Sequence, residues 1–402
     1  MKVYIVDAKR TAVGKFLGGL AAVNPVDLTV PVVEAVLQNQ NLAAEKIDQL
    51  VLGNVLAAGH GQNIARQVSL KAGLPDTKIA YLVNILCGSG LKTVEQAYNE
   101  IRLGEAEAIL TGGVESMSQA AQILPNFKSR AGLGLGDARI TDTLLLDGLT
   151  DGLGGYHMGI TAENIADKYQ ISREEQDKFA YASQQKALAA IEAGVFETEI
   201  VPVSYKARKK KITISVDEHP NAASTPEKLA HLRPAFKEGG TVTAGNASGI
   251  NDGASVLLVA SEKFVEENGL KPLVEIVGFG LAGVDPAVMG LGPAPAIQKL
   301  LEKTGVGLSD IDLFELNEAF AAQSIGVLKE LAATFDVSYD SLAEKTNLLG
   351  GAIALGHPLG ASGARVATTL VHQMARQKEK KYGIAALCIG GGMGIAMLVK
   401  NV

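Results

Sequence analysis

The chain has 402 residues, 47% hydrophobic and 20% charged, with a formal net charge of −6, which gives it the length and apolar content of two or three packed domains and excludes an intrinsically disordered protein. The acidic balance supplies no global basic field for nucleic acid or anionic membrane, and no apolar run approaches the roughly 18 to 20 residues of a membrane-spanning helix. Two cysteines are too few for a disulfide framework, while the 45 glycines exceed the usual share of about 7%.

The start, Met1-Lys2-Val3-Tyr4-Ile5-Val6, has no signal-peptide pattern and runs straight into a strand, the expectation for a cytoplasmic protein. A helix over Pro25–Gln38 and a strand over Gln49–Gly53 follow. Tyr81–Leu86 is apolar and strand-like, Leu91–Leu103 reads as a helix and Ala108–Thr111 as a strand. From about residue 119 to 249 the rhythm breaks. Pro125, Gly132, Gly134, Gly136, Gly152, Gly154 and Gly155 make a loop-rich stretch. A long helix then starts at Ser172, which has capping-box spacing to Glu175, and stops at Gly194. Asn251–Ser261 reads as a strand rejoining the first half. Strands over Leu273–Val277, Leu313–Glu315 and Ile384–Cys388 then alternate with helices over Pro293–Thr304, Glu318–Leu331 and Ser362–Gln377. This alternation is that of an α/β protein with buried sheets.

A weak internal repeat runs through the chain. Asn84-Ile85-Leu86-Cys87-Gly88-Ser89-Gly90 leads into a helix, a strand and Gly112-Gly113. Gly356-His357-Pro358-Leu359-Gly360-Ala361-Ser362-Gly363 leads into a helix, a strand and Gly390-Gly391-Gly392. Two similar halves packed together bring such loops to one shared crevice.

Cys87 falls on the strand-to-helix turn, where the positive helix end lowers a thiol's pKa from its free value of about 8.5; the competing reading is a buried cysteine acting as a small hydrophobe. His357 sits in an extended turn, because Pro358 disfavours helix at the residue before it. A cysteine nucleophile needs such a base, although a lone loop histidine is more often plain surface. Cys388 ends a strand just before a glycine cluster whose backbone N–H groups suit an oxyanion hole; the plain alternative is a sheet-core cysteine. Asn317 is both a plausible N-cap of the helix after it and a plausible strand-end site residue. Gly278-Phe279-Gly280-Leu281-Ala282-Gly283 matches G-x-G-x-x-G, but Asp285-Pro286 interrupts it and no acidic strand end follows. The run Lys206-Ala207-Arg208-Lys209-Lys210-Lys211 is a solvated face or a contact for a phosphorylated ligand.

Val83–Gly90, Asn317-Glu318-Ala319-Phe320, Gly356–Gly360 and Cys388–Gly394 together resemble the thiolase family, in that family's order and over the whole chain; the short-chain biosynthetic members are the most similar. The resemblance implies a five-layer αβαβα fold of two similar βαβαβαββ halves with an inserted loop domain. Its boundaries here would be 1–118 plus 250–270 for the first half, 119–249 for the insertion and 271–402 for the second half. It implies reversible condensation of two acetyl-CoA into acetoacetyl-CoA and CoA, with a degradative 3-ketoacyl-CoA thiolase of broader chain length as the alternative. By motif, Cys87 would accept the acyl group and His357 would activate it. Cys388 would remove the α-proton of the second acetyl-CoA and protonate the leaving thiolate. Asn317, through a water, and His357 would hold the enolate, and the N–H groups of Cys87 and Gly390 would form a second oxyanion hole. Leu149, His157, Met158, Phe236, Ala244, Ser248, Met289, Ala319 and Phe320 would line the acyl and pantetheine pocket, with Ser248 bonding the pantetheine and Met289 shortening the acyl space. The basic run near Lys209 would face the CoA phosphates, while His219-Pro220-Asn221 stands where relatives often carry an arginine near the adenine, a departure from the family pattern at that contact. No metal or redox cofactor is implied, only CoA thioesters as substrates. The partner is a second copy of the chain, in a dimer or, from the segment near 125–140, a tetramer.

Overall fold

Alternating apolar side chains decide how the sheet is covered, because successive residues of a strand face opposite sides. The structure is a computed structural model that describes all residues except 125–130, 133, 134, 136 and 209. Pro125, Gly134, Gly136 and Lys209 of the sequence-based expectations therefore lie outside the described residues. The main elements of the first half are β1 (Val3–Thr11), α1 (Pro25–Asn39), β2 (Gln49–Gly53), α2 (Ile64–Lys71), β3 (Ile79–Val83), α3 (Ser89–Leu103) and β4 (Ala108–Ser116). Then come α4 (Met158–Tyr169), α5 (Arg173–Glu192), β5 (Asn251–Ser261), β6 (Val274–Gly283), α6 (Pro293–Thr304), β7 (Leu313–Leu316), α7 (Ala321–Phe335), α8 (Leu359–Arg376), β8 (Tyr382–Ile389) and β9 (Met393–Asn401).

These strands form one sheet in the order β7-β8-β9-β6-β1-β5-β4-β2-β3. In the first half β1, β5 and β4 pair antiparallel and β4, β2 and β3 parallel. The second half repeats this, with β6, β9 and β8 antiparallel and β8 and β7 parallel. Among the described residues the strand ladders of the two halves meet at Tyr4↔Glu275 and Ile5↔Val274.

Three apolar clusters then define five layers. Tyr4, Val6, Val256 and Leu258 pack outward against α1 and α2. From the same strands Val3, Ile5, Leu257 and Val259 face inward onto α3 and α8, which Ile395, Met397 and Val399 of the other half cover from the far side. Ala396 and Leu398 point the opposite way, onto α6 and α7. The helix pair α3/α8 is thus sandwiched between sheet faces, and Leu359 to Met374 of α8 are buried without interruption. A helix apolar on only one stripe does not survive that position. Some polar residues of α8 find partners: Gln373 donates to Glu315 at 2.6 Å, and the hydroxyls of Thr368 and Ser255 meet at 2.9 Å, whereas Nε and Nη1 of the buried Arg365 have none among the described residues. Each fully buried Leu or Val here contributes about 1.5–3 kcal/mol.

Glycine explains how the central helices meet. A Cβ on Gly90 would lie 2.7 Å from the nitrogen of Ala364, and one on Gly363 would lie 2.3 Å from the nitrogen of Leu91. The repeat places these two glycines reciprocally, each admitting the other helix's backbone. Among its described residues, the segment between β4 and β5 lies outside the sheet apart from Ile200–Val201, which runs parallel on β1. It is tied to β1 by Arg10, buried, whose guanidinium bonds Glu199 at 2.7 Å and both oxygens of Asp217 at 2.7 and 3.0 Å.

Some expectations shift. The G-x-G-x-x-G stretch is strand β6 throughout, and Gly280 lets the backbone of α6 approach. Lys206-Ala207 and Lys210-Lys211 of the basic run lie in the paired strands Val203–Ala207 and Lys210–Ile214. The helix expected from Glu318 starts at Ala321, because Asn317–Phe320 is held by a neighbouring loop: Ser248 N–H donates to the Ala319 carbonyl and Ala321 N–H to that of Asn246, both at 2.9 Å. Among the described residues no helix is long and apolar enough to cross a membrane.

Candidate active site

The turn before α3 is built to present Cys87. Leu86 adopts φ 53°, a left-handed conformation unusual for a branched side chain. Ser89 holds it there: its hydroxyl donates to the Leu86 carbonyl at 2.6 Å and accepts the Ile85 N–H at 2.9 Å. The β8–β9 turn packs directly on this one. A Cβ on Gly88 would collide with Ile389 at 2.4 Å, and one on Gly390 would meet Leu86 at 2.8 Å. Gly391 and Gly392, at φ 79° and 86°, let the chain reverse.

The backbone N–H groups of Gly390 and of Cys87 itself act to lower the pKa of the Cys87 thiol. Burial nonetheless pushes the thiol up to about 11, against those two donors and with Glu115 adding to the rise. The sequence-based expectation is a lowering by the helix end; with Cys87 only 9% exposed, burial instead raises the thiol. Cys388 is fully buried and is also held above the usual thiol range, by burial first and by the nearby charge of Cys87 second.

His357 opens the turn before α8. Its N–H donates to Asn251 Oδ1 at 2.9 Å, and its Nδ1 lies 2.5 Å from Ser362 Oγ. Nε2 is buried with no partner among the described residues. Burial, with Arg365 second, lowers its pKa to about 3, so the resting imidazole is neutral. Glu115 steadies the loops around it, accepting N–H groups of Val55 and Leu56 at 3.0 Å and of Gly360 at 2.8 Å.

A cavity of about 320 Å³ opens over these groups. Of the residues expected from sequence, Cys87, His357, Gly390, Leu149, His157, Met158, Phe236, Ala244, Ser248, Met289, Ala319 and Phe320 line it. His157 stacks on Phe236 at 4.6 Å while its Nδ1 accepts Gly159 N–H and so caps α4; Phe236 meets Phe320 edge-on at 6.1 Å. Cys388 and Asn317 do not line the cavity. Cys388 packs against its wall beside Met158, Met289, Ala319 and Phe320. Asn317 is not a helix N-cap: its side-chain amide is fully buried with neither atom paired among the described residues. A buried amide left open in this way is costly unless a bound molecule completes it. Lys206 and Lys211 line a different cleft, with Ser204 and Tyr205.

Sequence reasoning missed Met117, Ala235, Ile250 and Leu359 as lining residues. Met117 directly follows the end of β4 and Ile250 directly precedes β5. Strand ends at a shared crevice were the available signal for both.

The sequence matches the description "Thiolase, N-terminal domain" over residues 3–263 and "Thiolase, C-terminal domain" over 270–401. It is 51% identical over 397 residues to the acetyl-CoA acetyltransferase of Escherichia coli (strain K12), spanning 99% of this chain and 98% of that one. The crystal structure of the Bacillus anthracis acetyl-CoA acetyltransferase superposes with a TM-score of 0.95 at 44% identity, covering 100% of this chain and 99% of the other. Human mitochondrial 3-ketoacyl-CoA thiolase gives 0.93 at 43% identity with the same coverage.

Proposed function

The chain belongs to the thiolase family, and from that premise we propose that it is an acyltransferase, an acetyl-CoA C-acetyltransferase that condenses two acetyl-CoA into acetoacetyl-CoA and CoA, reversibly. The observation that carries this reading is the cavity that Cys87, His357 and Gly390 line together, with an imidazole nitrogen unpaired among the described residues.

Cys87 gives its proton to His357 as its sulfur bonds the acetyl carbon, and the tetrahedral oxyanion is borne by the Cys87 and Gly390 N–H groups. The departing CoA thiolate takes a proton from Cys388. Cys388, now a thiolate, removes the α-proton of the second acetyl-CoA. Asn317, through a water, and His357 stabilise the resulting enolate, which attacks acetyl-Cys87; the released Cys87 sulfur recovers its proton from His357. The raised affinity of the buried Cys388 for a proton suits a base strong enough for a thioester α-carbon. Electrons and protons balance with two thiols and one imidazole, so the reading needs no metal or redox cofactor.

Met289 and Leu149 line the cavity; on this reading Met289 shortens the acyl space, which would favour acetyl transfer over the broader degradative activity. The adjoining cleft of about 340 Å³, lined by His219, Asn221, Ser224 and Lys228 and sharing Ala244 with the cavity, would take the nucleotide end of CoA. The same reading holds the enzyme to be cytoplasmic and a homo-oligomer, a dimer or a tetramer.

Thiolysis of acetoacetyl-CoA should exceed that of longer 3-ketoacyl-CoAs, followed as loss of enolate absorbance; a rate that rises with chain length would favour the degradative alternative. Cys87→Ser should take up no radioactive acetyl from acetyl-CoA, and undiminished labelling would refute the nucleophile.

A further inference from the structure

Two short contacts meet at one hydroxyl. Ser362 Oγ lies 2.8 Å from the carbonyl oxygen of Pro358, one helical turn back, and 2.5 Å from Nδ1 of His357. Both are hydrogen-bond separations, and each needs a proton between its heavy atoms, since lone pairs facing one another at that range repel. The carbonyl brings none and a serine brings one. That carbonyl also accepts the backbone N–H groups of Ala361 at 3.0 Å and of Ser362 at 2.9 Å, and the hydroxyl is a third donor to the same oxygen. The serine proton therefore fills the carbonyl contact, and the proton in the imidazole contact comes from Nδ1. The reverse assignment sets bare oxygens 2.8 Å apart inside a buried turn.

We propose that Ser362 is the positioning residue of the base: it holds His357 as the Nδ1–H tautomer and thereby leaves the Nε2 lone pair as the nitrogen that receives the Cys87 proton. This deepens the reading of His357 as the base and rests on it. Nε2 is the ring nitrogen without a partner among the described residues, and His357 shares the cavity wall with Cys87. When Nε2 takes the proton, Nδ1–H goes on donating to the same oxygen, so nothing has to reorient during the step. A hydroxyl also adds no negative charge, and the resting imidazole stays neutral, in keeping with its lowered pKa. The other repeat uses its matching serine in the same way: Ser89 donates to one carbonyl of its turn, that of Leu86, and accepts from the Ile85 N–H.

The test uses the full-length enzyme labelled with 15N-histidine, with the His357 signals assigned by their loss in His357→Asn. Long-range proton–nitrogen spectra should show Nδ1 protonated and Nε2 unprotonated in the wild type. Ser362→Ala should lose that single tautomer and slow single-turnover acetylation of Cys87 by roughly ten- to a hundredfold, the range seen when an imidazole loses its orienting partner, with KM for acetyl-CoA moving far less than kcat. Ser362→Thr should restore both, since a helical threonine hydroxyl reaches the same carbonyl. A wild-type His357 protonated at Nε2, or a Ser362→Ala enzyme with unchanged tautomer and acetylation rate, would overturn the proposal. The wild-type spectrum decides alone if Ser362→Ala does not fold. Should wild-type Cys87 take up no acetyl group, the acetyltransferase reading fails, and the spectrum still judges the role of Ser362.

Discussion

Replacing Met289 by alanine should change which acyl chain the enzyme accepts. Met289 is 2% exposed, lines the cavity and packs in one cluster with Phe320 and Cys388. Truncation removes the thioether arm from the acyl end without touching Cys87 or His357. Each methylene moved from water into an apolar site is worth about 0.8 kcal/mol. 3-Ketohexanoyl-CoA carries two more methylenes than acetoacetyl-CoA, so room for both gives ~1.6 kcal/mol, or roughly fifteenfold in kcat/KM. The ratio of the two thiolysis rates, six-carbon over four-carbon, should therefore rise about tenfold or more in Met289→Ala. Stability should fall by about 2–5 kcal/mol, the usual cost of opening a packed site. Urea denaturation measures that loss separately and shows whether the assayed enzyme is folded. A folded Met289→Ala enzyme whose ratio matches the wild type would refute the assignment of this side chain to the acyl end.

Three other outcomes follow from the same geometry. With Cys87 held at about 11, its thiolate is scarce at neutral pH; alkylation of Cys87 by iodoacetamide should climb about tenfold per pH unit from 7 to 9, and a plateau below pH 8 would reveal a preformed thiolate–imidazolium pair instead. Arg10→Ala strands the buried carboxylates of Glu199 and Asp217, so urea unfolding should show a loss of about 3–5 kcal/mol; a loss below 1 kcal/mol would contradict that burial. Gly363→Val drives a side chain into the Leu91 backbone and should cost at least about 1–3 kcal/mol and slow Cys87 acetylation. Gly152→Ala, which meets nothing within 4 Å, should leave both unchanged.

Local signals carried the turns that bear chemistry. Cys87 and His357 were legible because each sits on a turn that leads into a helix and then a strand, flanked by glycines that a core position does not need. The repeat was legible for the same reason: Ser89-Gly90 and Ser362-Gly363 occupy matching places. What sequence missed depends on contacts between distant segments. Asn317 reads as a helix cap until the 246–248 loop is seen holding the following residues extended. The pKa of Cys87 depends on how much protein covers it, and that cover includes Ile389 and Gly390, three hundred residues away. Strand β9 was unreadable at its start because Met393-Gly394 continues a glycine turn; its partners β8 and β6 make it a strand.

The reciprocal glycines of α3 and α8 fix more than a helix crossing. With no side chain between them, the spacing of the two turns equals the thickness of bare peptide backbone, a dimension that substitution can only enlarge. The alignment of sulfur and imidazole is therefore calibrated by the part of a polypeptide that varies least. The flanking layers are free to drift in sequence while this ruler keeps its length.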